Sequence, residues 1–458
     1  MDRYVSHADT IFENPVSPDS LISAGLVALI AFAIAAYWPL YAWNAGVSVL
    51  LLRPPIVGAA ILLAFIWYRQ SAGRTETTLL VLFSVQLALL LVPTLLATQP
   101  AVARTDWFKL VLMSVICLTV ARALRDDFTS KWFGWSMLGA SFVMSVYMLN
   151  VYFQVMGARI PTYESLRVFK GALILSVPLN NIAMDAVVCY LAAACLIHAK
   201  KLLVAVGILV FFVAGLMTGS RTPLAISSVA LFAVLLIGAL RSPKFNTRFV
   251  GWIAAACLLS GLAAALIYTD FRDMSRVTEG RWDLWYVAWQ KFTEQPIFGY
   301  GFESWHDDLA SRVPGVYGMN SGIYGIEHLD AGAYHNIYLT MLAEQGLVGS
   351  LPTLAIFWFL LAKSYGLAFR EFATWRKGRW ALVGAIVILL HGMVEASGIF
   401  GYASAPDDYC AMIFLAIVVS RYSREEEYML SEEWLLSEEQ FAEEEQFAEA
   451  MPSGAFAD

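Results

Sequence analysis

Charged residues are scarce in this sequence. Of the 458 residues, 15% are charged and 59% are hydrophobic, and the mean hydropathy is +0.63. A soluble domain usually contains about 25% charged residues and about 45–50% apolar residues. The composition therefore argues against a soluble helical protein, and the long apolar runs indicate a polytopic membrane protein.

Signatures of several other protein classes are also missing. The five cysteines all lie in apolar runs, without the pattern of a disulfide framework or a metal site. Residues 1–20 lack the basic segment of a cleavable signal peptide. There is no HExxH pair, no Walker A loop, no Asp-x-Asp signature, and no third glycine after Gly299-Tyr300-Gly301. We therefore predict no metal, no nucleotide cofactor and no nucleic-acid partner.

Apolar sequence is abundant, in runs long enough for transmembrane helices. A helix needs about 20 apolar residues to cross the hydrocarbon core of a bilayer. Arg53-Pro54-Pro55 interrupts the second run, so a kinked or re-entrant segment is possible there. The twelve predicted spans lie near 21–43, 46–68, 77–97, 107–124, 132–155, 178–198, 202–219, 222–240, 249–269, 347–369, 380–399 and 404–420.

The basic residues give the expected orientation. If the N-terminus is cytoplasmic, fourteen lysines and arginines fall in inside loops and five in the short outside loops. This bias follows the positive-inside rule and places both termini in the cytoplasm. The predicted order is a cytoplasmic segment 1–20, spans 1 to 9 over 21–269, an outer loop 270–346, spans 10 to 12 over 347–420 and a cytoplasmic tail 421–458. A loop of this length is expected to hold helices and to carry function.

The C-terminal tail is strongly acidic. Residues 424–458 contain 12 acidic residues and one arginine. A solvated tail is the favoured interpretation. Leu430, Trp434 and Phe441 fall on roughly one helical face, however, so the alternative is an amphipathic helix that packs on a partner or on the body. Binding to a membrane surface is disfavoured, because anionic lipids repel glutamates.

One arginine interrupts the apolar sequence between the seventh and eighth spans. Gly219-Ser220-Arg221-Thr222 predicts a very short turn, and Pro223 suits the first turn of the following helix. An arginine at membrane depth usually faces a polar cavity and marks a site or a pathway. The alternative is that Arg221 only extends to the lipid headgroups.

The outer loop contains the stretch EGRWDLWYVAWQKFTEQPIFGYGFESW, which predicts a helix ending before Pro296 and then a turn over 298–302 with aromatic anchors. One face of this helix is predicted to carry Arg281, Trp285, Ala288, Trp289 and Phe292. Packing at the membrane interface explains the aromatic stripe better than stacking on a sugar. An arginine on an apolar face, in contrast, needs a partner or a ligand.

A second stretch, GAYHNIYLTMLAEQGLVGSL, predicts a helix that leads back into the membrane and ends near Gly346. His335, Tyr338, Leu339 and Leu342 share one face of it, with His335 in the first turn. The alternative to a functional role is a structural histidine bonded to the backbone.

Two arginines and a histidine on the outer side suit one kind of reaction. Arginines bind a diphosphate by bidentate hydrogen bonds, and a histidine can take a proton from an attacking hydroxyl near neutral pH. The outer side of a membrane has no ATP or nucleotide sugars, so its activated glycosyl donors are polyprenyl-diphosphate lipids. We therefore predict that Arg221, Arg281 and His335 line one outward-facing cavity.

Three motifs in this order resemble the bacterial O-antigen ligase and polymerase superfamily, which also includes protein O-oligosaccharyltransferases. They are Gly219-Ser220-Arg221-Thr222, then Arg281-Trp282 with Trp289 and Phe298-Gly299-Tyr300-Gly301, then His335-Asn336-x-Tyr338-Leu339 with Glu344-x-Gly346. The resemblance covers roughly residues 165–365. It implies a metal-independent, inverting glycosyltransferase embedded in the bacterial inner membrane, similar to the type C fold, without a cofactor.

The resemblance also implies roles for individual residues. Arg221 and Arg281 would hold an undecaprenyl-diphosphate-linked glycan donor, and His335 would activate the acceptor hydroxyl. The acidic tail is not part of the family pattern. Further candidates for contact with the substrates are Arg167, in RVFKGALILSVPLNN, together with Trp285, Trp289 and Tyr338.

Members of this superfamily differ in the acceptor. A ligase transfers the glycan to lipid A–core, a polymerase transfers it to another lipid-linked unit, and a protein oligosaccharyltransferase uses Ser or Thr. The single long outer loop favours a ligase, because polymerases often have two and the loop at 156–177 is short. A transporter of an anionic lipid-linked glycan is the rival class, but the sequence shows no inverted repeats of the kind that class contains.

Overall fold

A computed structural model of the protein describes residues 16–43, 45–67, 72–97, 100–157, 179–197, 200–214, 226, 281–302, 334–369, 375–393 and 406–450. Within these ranges every regular element is a helix. The longer helices are α1 (Pro18–Trp43), α2 (Ala45–Trp67), α3 (Arg74–Leu96), α4 (Pro100–Ala123), α5 (Asp127–Met156), α6 (Leu179–Leu196), α7 (Lys200–Phe212), α8 (Arg281–Glu294), α9 (Ile337–Phe369), α10 (Trp375–Gly392) and α11 (Pro406–Ala450).

The predicted all-α class is confirmed for the described residues, whereas the number of spans stays a prediction. Among the described residues, four helical segments are long and apolar enough to cross a membrane: Pro18–Tyr37, Arg74–Leu96, Asp127–Val155 and Ile337–Phe369. Leu52–Trp67, Asn181–Leu196 and Gly378–Gly392 are shorter apolar helices. The predicted spans 222–240 and 249–269 lie outside the described residues, apart from Ile226.

The second predicted span is a single helix. α2 continues from Ala45 to Trp67 through Pro54 and Pro55, so the described segment is not re-entrant. Proline is tolerated inside membrane helices because neighbouring groups satisfy the freed carbonyls. Large apolar side chains face outward from several helices, including Phe65 in α2 at 74% exposure and Trp358 in α9 at 70%. Such exposure suits contact with lipid and supports a membrane-embedded bundle.

Ion pairs concentrate at one end of the helix bundle, which we call the ionic end. Arg125 lies 3.7 Å from Glu76 and also pairs with Glu427, so it joins α3 to α11. Arg122 lies 3.6 Å from Glu76 as well. The ionic end comprises Glu76, Arg122, Arg125, Asp127, Arg424 and Glu427.

The opposite end, which we call the histidine end, brings together the last residues of α3 and α10 and the first residues of α9. The hydroxyl of Tyr338 donates a hydrogen bond to the carbonyl oxygen of Leu389 at 2.8 Å. A Cβ atom placed on Gly301 would lie 2.3 Å from the Cβ atom of Ala97. The other end of α3 lies at the ionic end, where the hydroxyl of Thr75 donates to Glu426, so α3 spans the bundle from one end to the other.

The acidic tail continues the last predicted span as one helix. α11 runs from Pro406 to Ala450, which at 1.5 Å per residue is about 67 Å. Its residues 424–427 pack on the body, through Arg424 with Asp127 and Glu427 with Arg125. The interpretation of a fully solvated tail is therefore wrong for these first residues. Beyond them Tyr428 and Leu430 are exposed.

Candidate active site

Helix α8 packs on the first part of α9 through a small apolar cluster. Leu284, Val287 and Ala288 from α8 are buried there with Tyr334 and Ala343. Three of these residues follow the i, i+3, i+4 spacing of one helical face. The sequence therefore predicts the helix and its end correctly, since α8 stops at Glu294, before Pro296.

The buried face of α8 is not the aromatic face that the sequence assigns to the membrane interface. It is rotated by about 100°, or one residue, from that face, and only Ala288 belongs to both. Trp289 is half exposed, and its ring lies 5.3 Å from that of Phe292. The exposure of Trp289 agrees with packing at the membrane interface, the interpretation that the sequence favours for this stripe.

A lysine completes the buried face of α8. Lys291 is 1% exposed, and its ammonium lies 5.3 Å from the centre of the Tyr300 ring. The hydroxyl of Tyr300 in turn donates to Glu294. The long methylene chain of lysine can be buried while its charge meets an aromatic face. Sequence reasoning missed Lys291, because a lysine at this position looks like a solvent-facing residue.

The turn after α8 is joined to α9 by backbone hydrogen bonds, an arrangement that we call the glycine lock (residues 296–301 with 343–348). The amides of Tyr300 and Gly301 donate to the carbonyl oxygens of Ala343 and Glu344 at 3.0 and 2.8 Å. Both acceptors lie just before a break in α9 at Gly346, where the helix would otherwise be continuous. The predicted end of a helix near Gly346 therefore corresponds to this break.

The reverse pair of bonds closes the glycine lock. The amides of Leu347 and Val348 donate to the carbonyl oxygens of Pro296 and Ile297, at 2.8 and 3.0 Å. Gly346 has φ 60° and ψ −168°, and a Cβ atom there would lie 2.4 Å from the oxygen of Ile297. Only glycine adopts such dihedral angles readily and allows two backbones to approach so closely.

The glycine lock determines how α8 and the start of α9 are arranged. The C-terminal end of α8 meets α9 at residues 343–348, while residues nearer its N-terminal end share a cluster with Tyr334 and Leu339. The two helices therefore run side by side in the same direction. As a consequence, α8 begins with the backbone of Arg281 at the end where His335 lies.

His335 lies immediately before α9 and not in its first turn. Its φ angle of 48° makes it the one non-glycine residue with positive φ in the described part of the chain. A positive φ angle is uncommon for a residue other than glycine, although histidine, asparagine and aspartate adopt it more readily than the rest. Strain of this kind clusters at functional sites. The side chain of His335 is partly exposed, although Tyr334 before it is fully buried.

Asn336 starts α9 and holds the histidine in place. Its side-chain oxygen accepts hydrogen bonds from the amides of Tyr338 and Leu339, at 3.0 and 3.1 Å. Its backbone oxygen accepts from the amide and the hydroxyl of Thr340. This is an N-cap, and it fixes where the helix begins. His335 therefore lies between the capped start of α9 and the buried Tyr334. These two neighbours fix the position of its backbone.

Tyr338 already has a partner within the protein. Besides its bond to Leu389, its ring packs at 5.6 Å on that of Phe357. It therefore ties α9 to the end of α10, and contact with a substrate stays a prediction. Trp285 is half-buried and Trp289 half exposed. Arg221 and Arg167 lie outside the described residues, and so does the side chain of Arg281.

Apolar helices with large exposed apolar side chains indicate a membrane-embedded protein whose described residues are all-α. A histidine with a positive φ angle beside a helix start marks a candidate site at one end. Residues 205–354 match the family model described as O-antigen ligase. This match covers about a third of the chain and supports the resemblance seen in the motifs. None of the curated proteins matches the chain.

The family match has consequences for the class of function. Its members are glycosyltransferase-like enzymes, ligases and polymerases, which act on lipid-linked glycans in a membrane. The matched range ends in α9 and includes α8, the glycine lock and His335. The candidate active site thus lies within the region that carries the family signature.

Proposed function

We propose that the protein is an O-antigen ligase-like glycosyltransferase. It moves a glycan from undecaprenyl diphosphate to a hydroxyl of lipid A–core at the periplasmic face of the inner membrane, without a metal. Arg221 and Arg281 bind the diphosphate and His335 activates the acceptor. The observation that carries this proposal is the strained, partly exposed His335 at the start of α9, in the region that matches the family.

The parallel arrangement of α8 and α9 supports a site for an anionic donor. Both helices begin at the histidine end, so the partial positive charges of their N-terminal amides point to the same side of the protein. Arg281 is the first residue of α8. A diphosphate near these two helix starts would meet a positive potential even before arginine side chains contribute.

The proposed reaction has one proton transfer and one displacement. A nitrogen of His335 accepts the proton of the acceptor hydroxyl as its oxygen attacks the anomeric carbon of the glycan. The bond from that carbon to the diphosphate breaks, and the arginines stabilise the charge that develops on the leaving oxygen. Attack from the side opposite the diphosphate inverts the configuration at the anomeric carbon.

An assay with purified components tests the proposal. The full chain in liposomes would receive undecaprenyl-diphosphate-linked glycan and lipid A–core, and the product would be resolved by electrophoresis. We expect transfer by the wild type and by Tyr286→Phe, a control on the exposed side of α8. We expect Arg281→Lys to lose most of the rate, because lysine cannot form a bidentate bond to the diphosphate.

The same assay separates the alternatives. A polymerase would extend the lipid-linked glycan and leave lipid A–core unmodified. A transporter would yield no new glycosidic bond with either acceptor. If the single variants Arg281→Lys and His335→Ala both kept full activity, the assigned site would be refuted, although the transfer reaction itself would stand.

A further inference from the structure

A polar pocket at the ionic end has no role in the proposed reaction. Its volume is about 540 Å³. It is formed where the end of α2 and the turn between α4 and α5 meet α11. The pocket is lined by Trp67, Arg125, Asp126, Arg424, Glu427, Tyr428 and Ser431.

The lining residues carry both signs of charge. Arg125 and Glu427 pair with each other, and Arg424 pairs with Asp127 just outside the pocket. Arg424 still has donor capacity, because its Nη1 atom has no hydrogen-bond partner among the described residues. Asp126 uses its Oδ2 atom to cap α5, accepting from the amide and hydroxyl of Thr129. The pocket therefore presents a cationic donor and an anionic acceptor on different walls.

Exposed aromatic side chains place this pocket at the depth of lipid headgroups. Tryptophan and tyrosine concentrate where the hydrocarbon core meets water. Trp132 in α5 is 52% exposed one to two turns from the pocket, and Phe65 in α2 is exposed two residues before Trp67. Tyr428 on α11 is also exposed. A ligand that enters along these surfaces comes from the bilayer.

We propose that this pocket binds the headgroup of a phospholipid that carries a primary ammonium group beside its phosphate. The Arg424 guanidinium donates to the phosphate, and the Asp126 carboxylate accepts from the ammonium group. Trp67 and Tyr428 contact the glycerol region. A headgroup with both charges matches a pocket of mixed sign. A purely anionic headgroup would instead place its phosphate against the carboxylates of the pocket without a cation to neutralise them. Free phosphoethanolamine has the same chemistry, so the source must be tested.

Thermal unfolding of the purified full chain in detergent micelles tests this proposal, with phosphatidylethanolamine, phosphatidylcholine or phosphatidylglycerol added in increasing amounts. We expect phosphatidylethanolamine to raise the melting temperature most, because the quaternary ammonium of choline cannot donate a hydrogen bond. Equal stabilisation by phosphatidylcholine or by phosphatidylglycerol would overturn the proposal. An equal effect of soluble phosphoethanolamine at the same concentration would overturn the membrane as the source.

Variants locate the effect in the pocket. Asp126→Asn keeps an N-cap residue at the start of α5 and removes the charge, so it separates binding from folding. We expect it and Arg424→Gln to need about tenfold or more phosphatidylethanolamine for the same shift. Arg424→Lys retains a charge in case the glutamine variant does not fold, and Arg74→Gln is an exposed control. Unchanged lipid dependence in the pocket variants would refute the site, without bearing on the transfer reaction.

Discussion

The glycine lock makes a sharp prediction for Gly346→Ala. Alanine at φ 60° and ψ −168° is in a region that is essentially restricted to glycine, which costs about 1–3 kcal/mol. Its Cβ atom would lie 2.4 Å from the oxygen of Ile297 and 2.6 Å from the nitrogen of Gly299. The oxygen of Ile297 and the nitrogen of Gly299 are main-chain atoms and cannot rotate away. The two backbone segments would therefore have to separate.

This separation sets the size of the effect. It would break the hydrogen bonds that Leu347 and Val348 donate to the turn after α8, and each is worth about 0.5–1.5 kcal/mol. Gly346→Ala should therefore destabilise the protein by roughly 2–6 kcal/mol in total. It should also lower glycan transfer, since α8 is held to α9 by this contact.

The matched control is Gly139→Ala in α5. A Cβ atom there meets nothing within 4 Å, and alanine is more stable than glycine inside a helix by about 0.5–1 kcal/mol. Thermal unfolding in detergent and the transfer assay would be measured for both variants. The role given to the glycine lock would be refuted if Gly346→Ala had the same melting temperature as Gly139→Ala and transferred glycan at the wild-type rate.

Three further substitutions address the start of α9. His335→Gly should leave the melting temperature unchanged or higher, because glycine relieves the positive φ angle, yet transfer should be lost; retained transfer would contradict a catalytic role. Asn336→Ala should cost about 1 kcal/mol through loss of the N-cap, measured by thermal unfolding, and an unchanged stability would argue against the cap. Tyr338→Phe should cost about 1 kcal/mol through the lost bond to Leu389 with transfer only slightly reduced; abolished transfer at normal stability would instead assign this hydroxyl to the substrate.

Most of the helices could be predicted from the apolar runs. The run near 77–97 corresponds to Arg74–Leu96, and the run near 132–155 to Asp127–Met156. Bilayer thickness sets a minimum length for such helices, so composition alone locates them within a few residues. The same criterion could not predict that the last helix continues to Ala450, because glutamate favours a helix without adding to hydrophobicity.

The candidate site could be predicted only in part. The order of motifs indicates the family, which the match over residues 205–354 supports, whereas the role of His335 stays a prediction. The contact between the turn after α8 and the break at Gly346 could not be predicted, because main-chain hydrogen bonds leave no periodic side-chain pattern. The buried Lys291 likewise reverses the usual rule for a charged residue. Whether Arg221 and Arg281 converge on His335 stays a prediction.

The central claim is tested most directly by the surface polysaccharide of a deletion strain, complemented with wild type or with His335→Asn and resolved on a gel. Asparagine tolerates a positive φ angle, so loss of function would not follow from backbone strain. The account predicts that this variant lacks long glycan on lipid A while undecaprenyl-linked polymer accumulates. A normal ladder from His335→Asn would contradict the mechanism, and lipid A with a single repeat unit would identify a polymerase.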